Sequence, residues 1–333
     1  MKDHSDELGI LIFKDKNPYS ATFKVYTLIA KKFLSMNKNI KLFVHEVGNE
    51  NIKAIKNQGL PFYSINDLKK FKGVLLIDDW LQKMKLVNSM DLKCRILNYL
   101  QILGFVGYMR RLTFPLARLY YISQLRDSWE YIANSRATLQ IFQFVTTKSV
   151  KRIIYPPIAD DFFLAYGKYK KEKRALLFLE RPLTKAYVER ILLGLRKILS
   201  VLHEEGFEIF TFGSYEMYKI VGFTDATYER YDDNALARLY ASSEIFITFP
   251  EIELFGLTPI ESMAAGTPPI SLYPHELIKN GKNGYTCYSV TECLKIIRTI
   301  ARNGLSDEMI KNARKTAHTC KSERFIKELL SIL

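Results

Sequence analysis

The residues best placed to do chemistry fall in one stretch, Phe249-Pro-Glu-Ile-Glu-Leu-Phe-Gly-Leu-Thr-Pro-Ile-Glu-Ser-Met-Ala-Ala-Gly-Thr-Pro-Pro-Ile270. It follows a run that reads as a strand, passes through a loop containing Gly256, and enters a helix predicted over Pro259 to Ala265. Proline suits the first helical position, and Thr258 with Glu261 has the spacing of a capping box. Gly266 stands where a left-handed C-terminal cap belongs. The backbone N–H groups of Phe255 to Ile260 are then expected to face the mouth of the loop with the positive end of the helix dipole behind them. That is an anion site, most naturally one for phosphate. Read blandly, Glu261 only caps the helix and Gly256 only permits a turn.

The elements that must position this stretch alternate between strand and helix. Leu8–Phe13, Ile40–Val44, Gly73–Asp78, Arg95–Leu100 and Tyr131–Asn134 read as strands, with helical patterns at Ala21 to Met36 and Leu112 to Glu130. The charged run Gly167 to Arg174 looks like an interdomain linker. The alternation then restarts with strands at Ala175–Leu179, Glu208–Gly213, Ile245–Phe249 and Pro269–Leu272. Helices are predicted at Lys185 to His203 and Asn234 to Ala241. Such alternation predicts parallel sheets covered on both faces, and ligands of these sheets bind outside the carboxyl ends of the strands. A length of 333 residues suits two such domains.

Composition excludes several classes. The chain is 48% hydrophobic and 25% charged, which disfavours disorder. Cys94, Cys287, Cys293 and Cys320 are far apart with no C-x-x-C pair, so a disulfide framework or zinc knuckle is not expected and a reducing compartment is. Met1 to Leu8 is polar and acidic, unlike a signal peptide, and the uncharged run Ile96 to Met109 is short of the ~20 residues of a membrane span. The expected setting is cytoplasmic, with peripheral contact at the inner membrane face. The net charge of +14 is lopsided: residues 1–160 hold 25 basic and 13 acidic residues, against 24 and 22 in residues 161–333. The first half therefore expects an anionic partner.

The string Glu253 to Pro268, with Glu253 and Glu261 separated by seven residues, resembles the E-x7-E segment of retaining GT-B glycosyltransferases. It is most similar to family 4 (glycosyl transferases group 1), whose usual form is E-G-F-G-L-P-x-x-E-A-M-A-x-G-x-P. Leu254 replaces the usual glycine and Thr258 the usual proline. Ala175-Leu-Leu-Phe-Leu-Glu-Arg-Pro-Leu-Thr-Lys185 resembles the family's strand followed by an Arg…Lys pair, in a spacing shorter by one than the commonest form. Tyr231 to Pro250 and the turn-rich His275-Glu-Leu-Ile278 and Asn280-Gly-Lys-Asn-Gly284 agree in order, and the likeness spans about residues 130–330.

The resemblance implies α/β GT-B architecture: two Rossmann-like doubly wound domains facing across a cleft. Residues 1–160 would bind the acceptor and 161–315 the nucleotide sugar, with 316–333 a C-terminal helix packing back on the first domain. It implies that Glu253 contacts donor-sugar hydroxyls and that Glu261 binds the ribose hydroxyls. Amides of Phe255, Gly256, Leu257 and Thr258 would hold the diphosphate, Arg181 and Lys185 would meet its charge, and Gly213 would turn close to the nucleotide. Two cations beside a diphosphate stabilise a departing nucleotide; on their own, Arg181 and Lys185 read as a solvated pair at a helix start. The implied mechanism needs no metal or other cofactor. A glycosidase pair is not expected, because one glutamate is in a loop and the other in a helix, with no reason for a separation of about 5–5.5 or 6.5–9.5 Å.

Acceptor-side motifs are poorer. Asp15-Lys-Asn-Pro-Tyr-Ser20 stands where family members often carry a Gly-Gly loop, and Asn98-Tyr-Leu-Gln101 where a histidine often ends a strand. His45 reads as structural; Asp78 and Asp79 either orient an acceptor hydroxyl or serve turn and capping roles. The basic, aromatic stretch Tyr99 to Arg118 suits an anionic membrane bearing a lipid-linked glycan acceptor. Competing readings are a DNA-modifying glucosyltransferase using the same charge on a DNA backbone, a nucleotide-sugar 2-epimerase, and a non-catalytic nucleotide-sugar-binding protein.

Overall fold

The computed structural model describes residues 7–14, 20–101, 114–180, 185–222, 226–228, 231–249 and 255–333. The chain divides into two compact units, Met1–Pro157 with Ser322–Leu333, and Ile158–Lys321.

The first unit runs β1 (Leu8–Phe13), α1 (Ala21–Ser35), β2 (Ile40–His45), α2 (Asn49–Asn57), β3 (Phe62–Ser64), β4 (Val74–Asp78), α3 (Leu81–Ser89), β5 (Arg95–Leu100), α4 (Phe114–Gln124), β6 (Glu130–Ala133), α5 (Arg136–Val145) and β7 (Arg152–Ile153). The second runs α6 (Asp160–Ala165), β8 (Glu172–Leu179), α7 (Lys185–Glu204), β9 (Glu208–Gly213), α8 (Tyr215–Val221), β10 (Ala226–Tyr228), α9 (Asp233–Ser242), β11 (Ser243–Thr248), α10 (Leu257–Ala264), β12 (Pro269–Ser271), β13 (Tyr285–Thr286), α11 (Val290–Asn303) and α12 (Asp307–Ala317). A last helix, α13 (Ser322–Leu330), belongs to the first unit.

Both sheets are parallel, ordered β3-β2-β1-β4-β5-β6-β7 and β10-β9-β8-β11-β12-β13. Each is wound outward in both directions from its first strand, the order of a dinucleotide-binding sheet. Every residue of β1 and β4 is buried, as expected of strands covered on both faces. In the second unit Leu177 and Ile247 on neighbouring strands pack with Ile198 and Leu202 of α7 and Ile297 of α11.

Two expectations are corrected. Leu112 to Glu130 is not one helix: within the described residues helix covers Phe114–Gln124, and Glu130 already opens β6. The turn between them is held by Tyr131 Oη donating to the Arg126 carbonyl at 2.7 Å, with Trp129 buried. The charged run Gly167 to Arg174 is not a linker, since it lies inside the second unit and its end is strand. Lys171 Nζ donates to the Ser243 carbonyl at 2.7 Å, and Arg174 Nη2 sits 2.6 Å from Glu172 and 2.9 Å from Glu208. Arg174 thus links β8 to β9 and Lys171 is held at the start of β11, while Lys168, Lys170 and Lys173 remain exposed.

Helix α13 is joined to the first unit by apolar and polar contacts. Phe325 is 1% exposed and meets Tyr99 edge-on at 5.8 Å. Arg95 Nη2 donates to the Ile332 carbonyl at 2.6 Å, and Arg152 Nη1 to Ser331 Oγ at 3.0 Å. Replacing a fully buried phenylalanine by alanine costs about 3–5 kcal/mol. Phe325→Ala is therefore expected to destabilise the first unit by that amount in urea unfolding; a loss under about 1 kcal/mol would show that α13 adds little to its core.

Candidate functional site

Strands β8 and β11 are neighbours, with Phe178 opposite Thr248, and both chains leave the sheet at the same edge. This is the switch point of the second sheet, because β9 lies on the other side of β8 and β12 on the other side of β11. The two segments singled out in the sequence leave the sheet here. Arg181 and Glu253 lie outside the described residues; Lys185 is the first residue of α7.

Gly213 ends β9 beside this edge, opposite Leu179. Its φ is +103°, and a Cβ would come within 2.4 Å of the Leu179 carbonyl oxygen, which already accepts from Ser214 N–H at 2.7 Å. Only glycine lets the chain turn this close to the end of β8.

Helix α10 starts at Leu257, two residues before the expected Pro259, with Gly256 as N-cap and no side chain capping it among the described residues. The expected capping box is absent. Thr258 lies inside the first turn, where its hydroxyl cannot reach back as an N-cap does, and its Oγ1 is buried without a partner among the described residues. Pro259 has no N–H, so the first turn offers the amides of Leu257 and Thr258 at the positive end of the helix. Glu261, on the next turn, is 7% exposed. The other end of α10 is closed: Gly266 N–H donates to Met263 O at 3.2 Å and Thr267 N–H to Ser262 O at 2.8 Å, a Schellman motif. Gly266 has φ +86°, and a Cβ there would come within 2.5 Å of the Tyr166 ring. The helix is locked at its C-terminus, and no side chain among the described residues caps its N-terminus.

Sequence reasoning missed one residue of this site. His275 Nε2 lies 3.1 Å from the Gly256 carbonyl oxygen, and Leu277 N–H donates to His275 Nδ1 at 3.1 Å. Its ring centroid is 5.3 Å from that of Phe255. Burial of the ring pushes its pKa down to about 4, opposed by the bond to Gly256. The imidazole is neutral at pH 7, with the proton on Nε2 and the lone pair on Nδ1. The turn-rich Tyr273-Pro-His-Glu276 was the available signal, but nothing in it says that the ring reaches back to Gly256.

Residues 227–316 match the family model described as glycosyl transferases group 1. Solved structures match over the full chain. HepE of Anabaena, in complex with UDP and glucose, superposes with a TM-score of 0.73 at 13% identity, covering 98% of this chain and 100% of that one. A glycosyltransferase from Rickettsia africae gives 0.71 at 14% identity, over 98% and 97%. Staphylococcus aureus TarM, in complex with fondaparinux, alpha-GlcNAc-glycerol and UDP, gives 0.74 at 11% identity, over 98% and 99%. No curated protein matches the chain in sequence. The protein is a glycosyltransferase with the GT-B fold.

The group 1 segment of this glycosyltransferase runs from β10 through α12, so it holds Glu253, Phe255, Gly256, Leu257, Thr258, Glu261 and His275. Arg181, Lys185 and Gly213 precede it. In the enzyme's first unit the corresponding switch point lies between β1 and β4, and Asp78 and Asp79 sit there. Asp78 accepts from Lys83 Nζ at 2.5 Å and Tyr26 Oη at 3.1 Å, and from Trp80 N–H at 3.1 Å. Asp79 accepts from Gln101 N–H at 2.9 Å and Tyr121 Oη at 3.0 Å. These are turn and fastening roles: Asp79 ties the ends of β4 and β5 to α4. His45 also serves structure, stacked on Phe13 at 5.2 Å. The Asp15 to Tyr19 loop and His4 lie outside the described residues, while Ser20 caps α1 through Phe23 N–H at 3.2 Å.

Burial raises the Asp79 carboxyl to about 6, and the charge of Asp78 adds to the effect, while the Gln101 and Tyr121 hydrogen bonds oppose it. The folded-state value is above the unfolded one, so the folded chain holds the extra proton between about pH 4 and 6. Stability therefore falls as pH rises through that window and stays lower above it, by about 3 kcal/mol for a shift of about two units. Asp79→Asn is expected to flatten this slope and to raise stability at pH 7, read by urea unfolding between pH 4.5 and 7.5. A slope unchanged in the variant would place the titration elsewhere.

Proposed function

We propose that this enzyme transfers a sugar from a nucleotide-sugar donor to a hydroxyl acceptor with retention at the anomeric carbon. The reading is carried by Glu261, a buried carboxylate on the helix that follows β11, whose N-terminus has no side-chain cap among the described residues. A helix end of this kind favours phosphate oxygens, and a carboxylate one turn further along suits the adjacent ribose hydroxyls.

Glu253 takes the donor-sugar hydroxyls and Glu261 the ribose. The amides of Phe255, Gly256, Leu257 and Thr258 face the diphosphate, with Gly213 turning beside the nucleotide. Arg181 and Lys185 neutralise the charge that builds on the leaving nucleoside diphosphate, so the proposal assigns that work to the protein and not to a metal ion. The acceptor hydroxyl attacks the anomeric carbon on the face the nucleotide leaves. The glycosidic C–O bond to phosphate breaks, and a donor phosphate oxygen takes the acceptor's proton. HepE and TarM, which share the fold, were solved with UDP, which supports a nucleotide as the leaving group.

The acceptor we propose is a glycan, including one carried on a lipid, approached from the face of an anionic membrane. Among the described residues no helix is long and apolar enough to cross a membrane. The first unit does present Leu116, Leu119 and Phe144, which are 54%, 65% and 71% exposed, with Phe114 against Phe144 at 5.7 Å. Arg118 stands between the two exposed leucines, in a stretch from Leu81 to Arg152 with 12 basic and 3 acidic residues. Apolar side chains set in basic surroundings suit an anionic bilayer better than bulk water.

Thermal shift with UDP, GDP, ADP, dTDP and CMP and their sugars tests the donor. A ligand at 100 times its Kd adds about 2.7 kcal/mol, which raises Tm by several degrees. One nucleotide is expected to stabilise wild type and to do so much less for Glu261→Ala; no stabilisation by any of them would overturn the donor reading. Flotation tests the membrane contact: wild type is expected to rise with vesicles containing phosphatidylglycerol and not with pure phosphatidylcholine, and Leu119→Glu with Phe144→Glu to remain at the bottom. Equal recovery on both vesicles, or flotation of the double variant, would remove it.

A further inference from the structure

We propose that His275 is a positioning residue for the donor diphosphate, acting through the Gly256–Leu257 peptide. The inference rests on the donor reading above and adds a residue that none of the matched motifs assigns. The Gly256 carbonyl and the Leu257 N–H belong to one peptide unit, which is planar and trans, so the two groups point in opposite directions. Fixing the carbonyl fixes the N–H. His275 Nε2–H holds that carbonyl at 3.1 Å.

The donor is itself held from behind. Leu277 N–H occupies Nδ1 at 3.1 Å, which leaves the proton on Nε2 and sets the ring plane, and the Phe255 ring lies against the imidazole with centroids 5.3 Å apart. Leu277 thus sets the tautomer, the tautomer supplies the donor, and the donor orients the peptide whose other side opens on the proposed phosphate site. Hydrogen bonds in series also polarise one another, so a carbonyl that accepts makes its own N–H a stronger donor. Thr258 supplies the next free amide and Pro259 supplies none, so Leu257 N–H is one of only two that the first turn offers ahead of Ile260. Its aim matters correspondingly more than in a helix with a full set.

The test compares His275→Phe, which keeps a ring against Phe255 but has no donor, with His275→Gln, whose side-chain N–H reaches a similar distance. Affinities are measured for UDP, GDP, ADP and dTDP and for the matching nucleosides, and the Leu257 amide is followed in 15N-leucine-labelled full-length protein, assigned with Leu257→Met. His275→Phe is expected to weaken the diphosphate that binds wild type by about tenfold, to leave the nucleoside unchanged, and to move the Leu257 amide proton upfield. His275→Gln is expected to recover part of both effects. Diphosphate and nucleoside weakened alike, or diphosphate affinity unchanged in His275→Phe, would overturn the proposal, as would an unmoved Leu257 amide. If wild type binds none of the nucleotides, the donor reading fails by that result, and the Leu257 amide shift alone decides whether His275 controls the peptide.

Discussion

The proposed chemistry depends on two parallel strands, β8 and β11, ending side by side. Parallel strands release their chains at the same edge, and a doubly wound order sends the following helices to opposite faces. Phe178 and Thr248 therefore lie opposite each other at one edge although they are seventy positions apart in the chain. Gly213 shows how tight the arrangement is, since one added carbon would sit 2.4 Å from the carbonyl that ends β8.

Helix α10 is built to present its N-terminus at that edge. Its C-terminus is closed by the Schellman motif at Gly266, and residues Pro259 to Ala264 are all buried. Its N-terminus has neither a capping hydroxyl nor a carboxylate from its own sequence neighbours among the described residues. An uncapped end costs a helix roughly 0.5–2 kcal/mol relative to a good cap. In α10 the buried face and the closed C-terminus offset that cost. His275 belongs to the same corner, because its Nε2 lies 3.1 Å from the carbonyl of Gly256, the N-cap residue of α10.

The first unit uses its own switch point differently. Asp78, Asp79, Lys83, Tyr26 and Tyr121 are buried there and bonded to one another or to nearby backbone. Lys83 Nζ also donates to the Leu11 carbonyl at 3.0 Å, so one ammonium bridges β1 and β4. Two adjacent carboxylates out of water make this corner costly at neutral pH, and what they secure is the geometry of β4, β5 and α4 where they meet. The side chains named at that corner all have partners, whereas the N-terminus of α10 has no side-chain cap among the described residues.

Much of this was legible in the sequence. Runs such as Leu8–Phe13 and Arg95–Leu100 are apolar and β-branched enough to be strands in any surroundings, and their alternation with helical periods already implied parallel sheets. Gly266 was legible as a cap because a left-handed position admits little else. The start of α10 was not: Thr258-Pro259 carries a strong local start signal, yet packing winds the helix two residues earlier and buries the threonine hydroxyl instead. Local propensities of about 1 kcal/mol yield to burial of a whole apolar face. The charged run leading into β8 reads as a linker for a related reason, since Lys171 and Arg174 find partners on β11 and β9, far along the chain. His275 was the hardest to see. A histidine in a turn has no periodicity to betray it, and its partner Gly256 lies nineteen residues away across a strand. Sequence alone determined the element types and the motif, because these follow from local chemistry; tertiary structure decided which loops meet and which polar atoms face each other, because those depend on strand order.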